Sequence, residues 1–503
     1  MNRREFLKSG TLMSAVSILL RTVTLAFAGY VSRAVGAEGV GINTLVMSAY
    51  GFAVTFATSG VGLTVTRLVA AHIGEGKRES IGRTLRGAAV YSLIFSLFAT
   101  AVLAAFSGFI ATACLGDVRA TLPLIILSLS LIPTALLGVI SGYYVAKRCA
   151  GRTSMIGLIS NAVRILVTVI LLSEYAPRGA VFAVVALCMG ASLSEIITLT
   201  VAAVVFFIDR MGERDGEERG VSLRPVANMA MPLALSSYVR SGLLSVEHAI
   251  IPRRLEKRGE SLGEALSSYG SLHGMALPMV VYPMTPLSSF AQLLLPELAE
   301  SEAAGDTHRM QRIARLAVSG ALSWGILMAV MLFVFSEELG YTVYGSYGAG
   351  YFISVLAPVV PIMYIDHVVD AMLKGVGEQV YSMWVNILDS ALSVILVFIL
   401  LPVMGIEGYA VVIIAMEGFN FALSYLRLRR RIAFRVDMVG ALIIPSLAAV
   451  GSAYLVDLLF VSLADTGAWA VFLKLIFAFA AYIALMIPIR AAYSKYLTRK
   501  HSA

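Results

Sequence analysis

Three arginines stand where arginine is costly. Arg21, Arg164 and Arg240 each fall near the middle of a long apolar stretch. An arginine at the centre of a bilayer costs about 2.5–3.5 kcal/mol, so three facing lipid would cost about 8–10 kcal/mol together. Such side chains are expected to face water or an anion. A guanidinium is a planar fork of five donors that grips phosphate or diphosphate bidentately. Arg21 and Arg240, with Arg164 or Arg67 assisting, would line a wet cavity suited to a diphosphate, from which an organic cation would be repelled. Internal pairing is the competing expectation. Glu195, Glu247 and Glu417 also lie in apolar stretches and could neutralise the arginines. Arg67 is placed to snorkel to the inner interface and Lys474 to the outer one.

A second set is acidic. Asp366 and Asp370 are four apart, and Asn386 and Asp389 three apart, so each pair shares a helical face. Glu247 lies two turns beyond Arg240. Oxygens converging within a bundle can hold Na⁺ or carry a proton. Glu247, Asn386 and Asp389 are the expected Na⁺ set, with Asp366 as a further coupling residue. Asp370 is expected to bond neighbouring helices or to approach cytoplasmic water. Cys114, Cys149 and Cys188 show no paired spacing, which suggests neither a disulfide framework nor a metal site. The chain has no GxxxxGK[ST], HExxH, CxxC or GxSxG pattern, and its six His are scattered. It reads as a secondary transporter rather than an enzyme, with Na⁺ or H⁺ as coupling ion and no other cofactor. A membrane glycosyltransferase would need an acidic cluster at a loop, and GERDGEE at 212–218 reads as a solvated linker.

The elements that must position these groups are membrane helices. Hydrophobic residues make up 58% of 503 and charged residues 14%, and mean hydropathy is +0.84. A soluble domain has about 45–50% apolar and about 25% charged residues, so the chain is a polytopic membrane protein. A span needs about 20 mostly apolar residues. Fourteen candidates follow: 9–31, 41–70, 87–113, 121–146, 154–173, 180–207, 226–251, 271–296, 314–336, 352–372, 380–402, 406–427, 439–460 and 467–489. With the N-terminus cytoplasmic, the inner loops hold 27 Lys and Arg and the outer side 7, which puts both termini on the cytoplasmic side. The net charge of +8 is thus a loop asymmetry and implies no nucleic-acid partner. Four of the seven outer cations fall in PRRLEKRGE (252–260), expected to lie along the membrane surface as an amphipathic helix. The opening RREFLK, with AFA at 26–28, is shaped like an export signal. Arg21 interrupts its apolar run and further spans follow, so it is expected to be a basic cap on the first span.

Sliding the chain by 228 residues lays 131–167 on 359–395, with Pro133 on Pro361, Ser154–Met155 on Ser382–Met383 and Asn161 on Asp389. A second echo sets Arg21 and Arg33, twelve apart, against Arg240 and Arg253, thirteen apart. Six spans separate the equivalents, so the halves run the same way across the membrane. The expected fold is all-α: about 14 transmembrane helices in two parallel six-helix lobes plus two C-terminal helices. The lobes would be 1–208 and 226–430, joined by a cytoplasmic linker at 209–225 and followed by two helices and a tail at 431–503. A cleft is expected between them, with Arg21 and Arg240 on facing walls.

FLKSGTLMSAVSILLR, SRAVGAEGVGINTL and GVGLTVTRLVA resemble the first two spans of the SpoVB-like polysaccharide biosynthesis proteins. These belong to the MOP superfamily, with the MurJ, Wzx and MATE proteins. The likeness extends through PLSSFAQLLLPELAES and YGSYGAGYFISVLAP and covers most of residues 6–430. It implies fourteen helices and the flipping of an undecaprenyl-diphosphate-linked sugar, such as lipid II or a related oligosaccharide, by alternating access. It implies partners among membrane lipids and cell-envelope polymerases, and a monomeric protein. Arg21, Arg33, Arg67 and Glu247 fall on charged positions of the family pattern, which puts Arg33 with the substrate-binding arginines. The pattern carries a further arginine where this chain has Ala28, and its segment-7 arginine falls where this chain has Ser237, one turn before Arg240. A cation-coupled multidrug exporter and a non-transporting subunit of a cell-wall assembly complex are the alternatives.

Overall fold

A computed structural model of the chain describes residues 3–75, 77, 79–147, 149–211, 220–460 and 468–502, with side chains for those between 21 and 493 other than 150, 211, 233, 236, 468 and 469. Among the described residues there is no strand. The helices are α1 (Arg3–Thr58), α2 (Val61–Gly74), α3 (Ser80–Ala105), α4 (Thr121–Ser128), α5 (Leu131–Ala146), α6 (Ala150–Tyr175), α7 (Ala180–Met211) and α8 (Leu223–Glu256). They continue as α9 (Leu262–Tyr269), α10 (Thr285–Ala303), α11 (Thr307–Val334), α12 (Tyr347–Leu356), α13 (Val360–Gly375), α14 (Gln379–Met404), α15 (Ile406–Ile432), α16 (Ile444–Phe460) and α17 (Ala468–Ser502). The 212–218 linker lies outside the described residues.

Among the described residues ten helices are long and apolar enough to cross a membrane, and a pair bent by 43°, Val118–Ser128 with Leu131–Ala146, makes up to eleven. The expected fourteen differ for physical reasons. The 54-residue stretch Arg21–Gly74 holds two expected spans in one. The segment at 226–251 is helical within α8, but Arg240, Glu247 and their neighbours lower its hydropathy. The segment at 271–296 is interrupted by a wide turn at Gly270–Ala276 and a tight one at Tyr282–Met284. Pro278, Pro283 and Pro286 remove amide donors there. PRRLE continues α8 as its last turns instead of lying apart as a surface helix.

By contacts the chain divides into two units, Met1–Arg33 with Ser268–Ala503, and Ala34–Ser267. This grouping does not follow the expected 1–208 and 226–430 lobes. The first span belongs with the C-terminal helices, and α8 belongs with the N-terminal ones. The change of unit within α1 comes beside Gly36, whose φ of 75° breaks the helical path, a conformation glycine adopts without Cβ strain. In the 34–267 unit a buried core joins Val61 and Val65 of α2, Leu85 and Tyr91 of α3, and Tyr143 and Tyr144 of α5. Close approach in hydrocarbon depends on small residues. A Cβ at Gly142 would lie 2.6 Å from the Gly62 carbonyl oxygen, and within the 1–33 and 268–503 unit one at Gly325 would lie 2.7 Å from Pro361 Cα.

Candidate substrate and ion sites

In the unit made by 1–33 and 268–503, Arg21 is exposed. Its electrostatic neighbour is His367 of α13, and no carboxylate pairs with it among the described residues. Thr22 Oγ1 and Tyr282 OH are 2.5 Å apart one residue further along. At the end of the same span Ser32 donates to the Tyr344 carbonyl at 3.1 Å. Arg33 donates through Nη2 to the carbonyls of Tyr341 and Thr342. These carbonyls end the wide turn Gly340–Tyr344, which Gly345 closes at φ 69°. Arg33, expected on the substrate, is here a cap on helix-end carbonyls.

The acidic residues of this unit gather on three helices. Asp366 of α13 has Glu417 of α15, Asp370 of its own helix and Asp389 of α14 as acidic neighbours. One Asp366 oxygen, Oδ1, is shielded from solvent without a hydrogen-bond partner. Asn386 donates to the Ser382 carbonyl at 2.8 Å and accepts from Asn420 at 3.5 Å. Asp370 accepts from Ser382 and pairs with Lys374, the ordinary structural partnership expected of it. Glu417 therefore joins the carboxylates rather than neutralising an arginine. Among the described residues no three His, Cys, Asp or Glu are grouped closely enough to hold a metal ion. Lys474 does not snorkel: it is buried and bonded to Glu338.

In the 34–267 unit, Arg240 on α8, Arg164 on α6 and Arg67 on α2 are all exposed. Arg164 is the charged neighbour of Glu195, so internal compensation holds for that pair. No salt-bridge partner is found for Arg240 or Arg67 among the described residues. Glu247 is buried on α8 and belongs to this unit, whereas Asn386 and Asp389 belong to the other. α8 is held to α1 by hydroxyls. Tyr238 donates to Ser59 at 2.6 Å, Thr55 to Ser241 at 3.1 Å and Ser245 to the Ser48 carbonyl at 2.8 Å. Ser59 sits between α1 and α2 at φ 41°, a strained conformation for a side-chain-bearing residue. Hydroxyls of both Tyr238 and Tyr91 hold it there.

Sequence reading missed one feature of this unit. Arg253 Nη2 donates to the carbonyls of Thr112 and Ala113, which belong to the wide turn Ile110–Leu115 closed by Gly116 at φ 81°. This is the Arg33 arrangement repeated, arginine for arginine and left-handed glycine for glycine. The Arg21–Arg33 and Arg240–Arg253 echo was its trace, and the turn glycines, Gly116 and Gly345, were a further signal.

The polysaccharide biosynthesis protein family matches residues 6–284. The chain belongs to that family. The MatE family matches residues 275–399. Stage V sporulation protein B of Bacillus subtilis (strain 168) is 24% identical over 429 residues, covering 82% of this chain and 82% of the relative. Two solved structures share the fold of this family member. Lipid II flippase MurJ in an inward closed conformation gives a TM-score of 0.73 at 12% identity, over 97% of this chain and 100% of that one. An inward-facing multidrug resistance MATE family transporter of the MOP superfamily gives 0.66 at 18% identity, over 83% and 94%. The chain is a multi-pass membrane protein of the polysaccharide biosynthesis family, with a fold shared by the MurJ and MATE structures.

Proposed function

We infer that the chain flips a lipid-linked diphosphate sugar, of the undecaprenyl type that includes lipid II, across the cytoplasmic membrane by alternating access, with both termini inside. The observation that carries this reading is the pair of exposed arginines, Arg21 and Arg240, with no carboxylate partner among the described residues. A guanidinium kept within a membrane helix without a counter-charge needs an anion as ligand, and a diphosphate offers bidentate acceptors. Arg164 and Arg67 assist, while Arg33 contributes through the fold. Membership of the polysaccharide biosynthesis family supports a sugar-bearing cargo, and its MurJ-like fold is compatible with a lipid-linked one. Asp366, Asn386, Asp389 and Glu417 carry the coupling charge, as a proton on a carboxyl or as Na⁺ drawn to the group once the helices close on it, and buried Glu247 contributes to coupling from its own unit.

The test is leaflet exposure of labelled lipid II in cells depleted of their own flippases and expressing this chain. Outward exposure is expected, and the Arg21→Ala, Arg240→Ala double variant is expected to lose it at unchanged membrane abundance. Full activity of the double variant would overturn the arginine assignment. The carboxylate group on α13, α14 and α15 favours a second reading, a cation-coupled exporter. That reading requires Asp366 or Asp389 variants to abolish efflux of a cationic drug while the arginine variants do not.

A further inference from the structure

The basic stretch at 252–260 breaks the loop-charge rule, and lipid-diphosphate flipping gives it no task. Its surroundings do. Within the 34–267 unit a cavity of about 500 Å³ is lined by Phe52 and Phe56 of α1, Phe98 and Val102 of α3, Cys114 and, on α8, Val246. Phe52, Phe98, Val102 and Val246 are exposed, so the cavity is a crevice open along one side. The Ser245 hydroxyl at its wall is already committed to the Ser48 carbonyl at 2.8 Å, which leaves hydrocarbon as the surface on offer.

Along α8 the wall residues Gly242, Val246 and Ala249 are followed by Arg253 and Lys257. Spacings of three and four residues put all five on one helical face. Arg253 stands at the end of the crevice, because the carbonyls it holds, Thr112 and Ala113, directly precede the wall residues Cys114 and Leu115. Its Nε would lie 3.2 Å from a Cβ at Gly116, and Nη2 makes both carbonyl bonds, so Nε and Nη1 remain as donors. Lys257, one turn on, is exposed. An apolar slot thus runs into two cations on a single face. At roughly 30 Å³ per water-sized group the slot holds about one fatty acyl chain.

We propose that this crevice binds one acyl chain of a bilayer phospholipid, with the anionic head group on Arg253 and Lys257. The chain itself gives little discrimination, since bilayer hydrocarbon is as apolar as the crevice. Selectivity comes from the head group, at about fivefold per basic residue near a membrane surface. A zwitterionic head group has no net charge to place against the two cations and so gains less, while Glu256 and Glu260, nearby in sequence, reduce the preference without reversing the local excess of Arg and Lys. This inference does not rest on the identity of the transported cargo.

The test places a Phe98→Trp reporter in the full chain, in phosphatidylcholine nanodiscs carrying a minor fraction of brominated phosphatidylglycerol or brominated phosphatidylcholine, with the parent protein's signal subtracted. Val246→Trp reports from the opposite wall should Phe98→Trp fold poorly. Stronger quenching by phosphatidylglycerol is expected, falling about fivefold in apparent affinity with Lys257→Gln. Equal quenching by the two lipids, quenching by neither, or selectivity unchanged in Lys257→Gln would overturn the proposal.

Discussion

At neutral pH Glu378 carries its charge between two arginines. It precedes α14, is buried, and accepts from Arg427 Nη2 at 2.9 and 3.0 Å, from Arg427 Nε at 3.1 Å and from Arg431. The bonds from Arg427, then those from Arg431, hold its carboxyl below the ordinary 4.5. A group depressed on folding adds stability that is complete above its ordinary value and lost as pH falls through the depressed one. Glu378→Gln is therefore expected to lower the thermal midpoint in nanodiscs at neutral pH, and the gap to the parent should close as pH is taken below 4.5. A gap that persists in acid would mean that the amide disturbs packing rather than removing a charge. The same scale shows what residue type alone leaves open. Arg21 and Arg33 look alike in the sequence, yet Arg21 is exposed without a carboxylate partner among the described residues while Arg33 is bonded to carbonyls. Hydropathy marks both as costly, but only the path of the 341–345 turn assigns the second to structure.

At the scale of elements, Arg33 and Arg253 perform one task twice. Each satisfies two carbonyls at the end of a wide turn that a left-handed glycine closes. A hydrogen bond to a charged group is worth about 1.5–3 kcal/mol when shielded, and both arginines keep some exposure, so Arg33→Gln and Arg253→Gln should each cost about 1 kcal/mol. Gly116→Ala and Gly345→Ala should cost a similar amount, about 1–2 kcal/mol, because an L-residue is disfavoured at those φ values. Reversible unfolding in mild detergent measures all four, and a large difference between the members of either pair would show that the two turns are not equivalent. The repeat was legible from spacing because polar landmarks recur at similar offsets in an apolar background. The allegiance of the first span and of α8 was not. Hydropathy fixes that a helix lies in the membrane and leaves its neighbours undetermined, and here they were decided by contacts such as Ser32 on Tyr344 and Ser245 on Ser48.

At the scale of the whole molecule, a transporter must tie cargo movement to an energy source. The two charge sets are chemically suited to divide that work. Arginine stays protonated at any physiological pH and serves as a fixed anion grip, whereas carboxylates that crowd one another change charge with a bound proton or cation. Asp366, Asp389 and Glu417 are such a group on α13, α14 and α15. If they couple the cycle, Asp389→Asn with Glu417→Gln should cut net lipid flipping about tenfold or more under an imposed ion gradient, and should leave gradient-independent exchange and cargo binding within about twofold, because coupling free energy is separable from affinity. The arginine double variant should lose binding and exchange together. Proteoliposomes with an imposed proton or sodium gradient, assayed for labelled lipid II exposure and for equilibrium exchange, separate the two patterns. Loss of binding in the carboxylate variant with binding intact in the arginine variant would reverse the assignment and leave the cation-exporter reading standing.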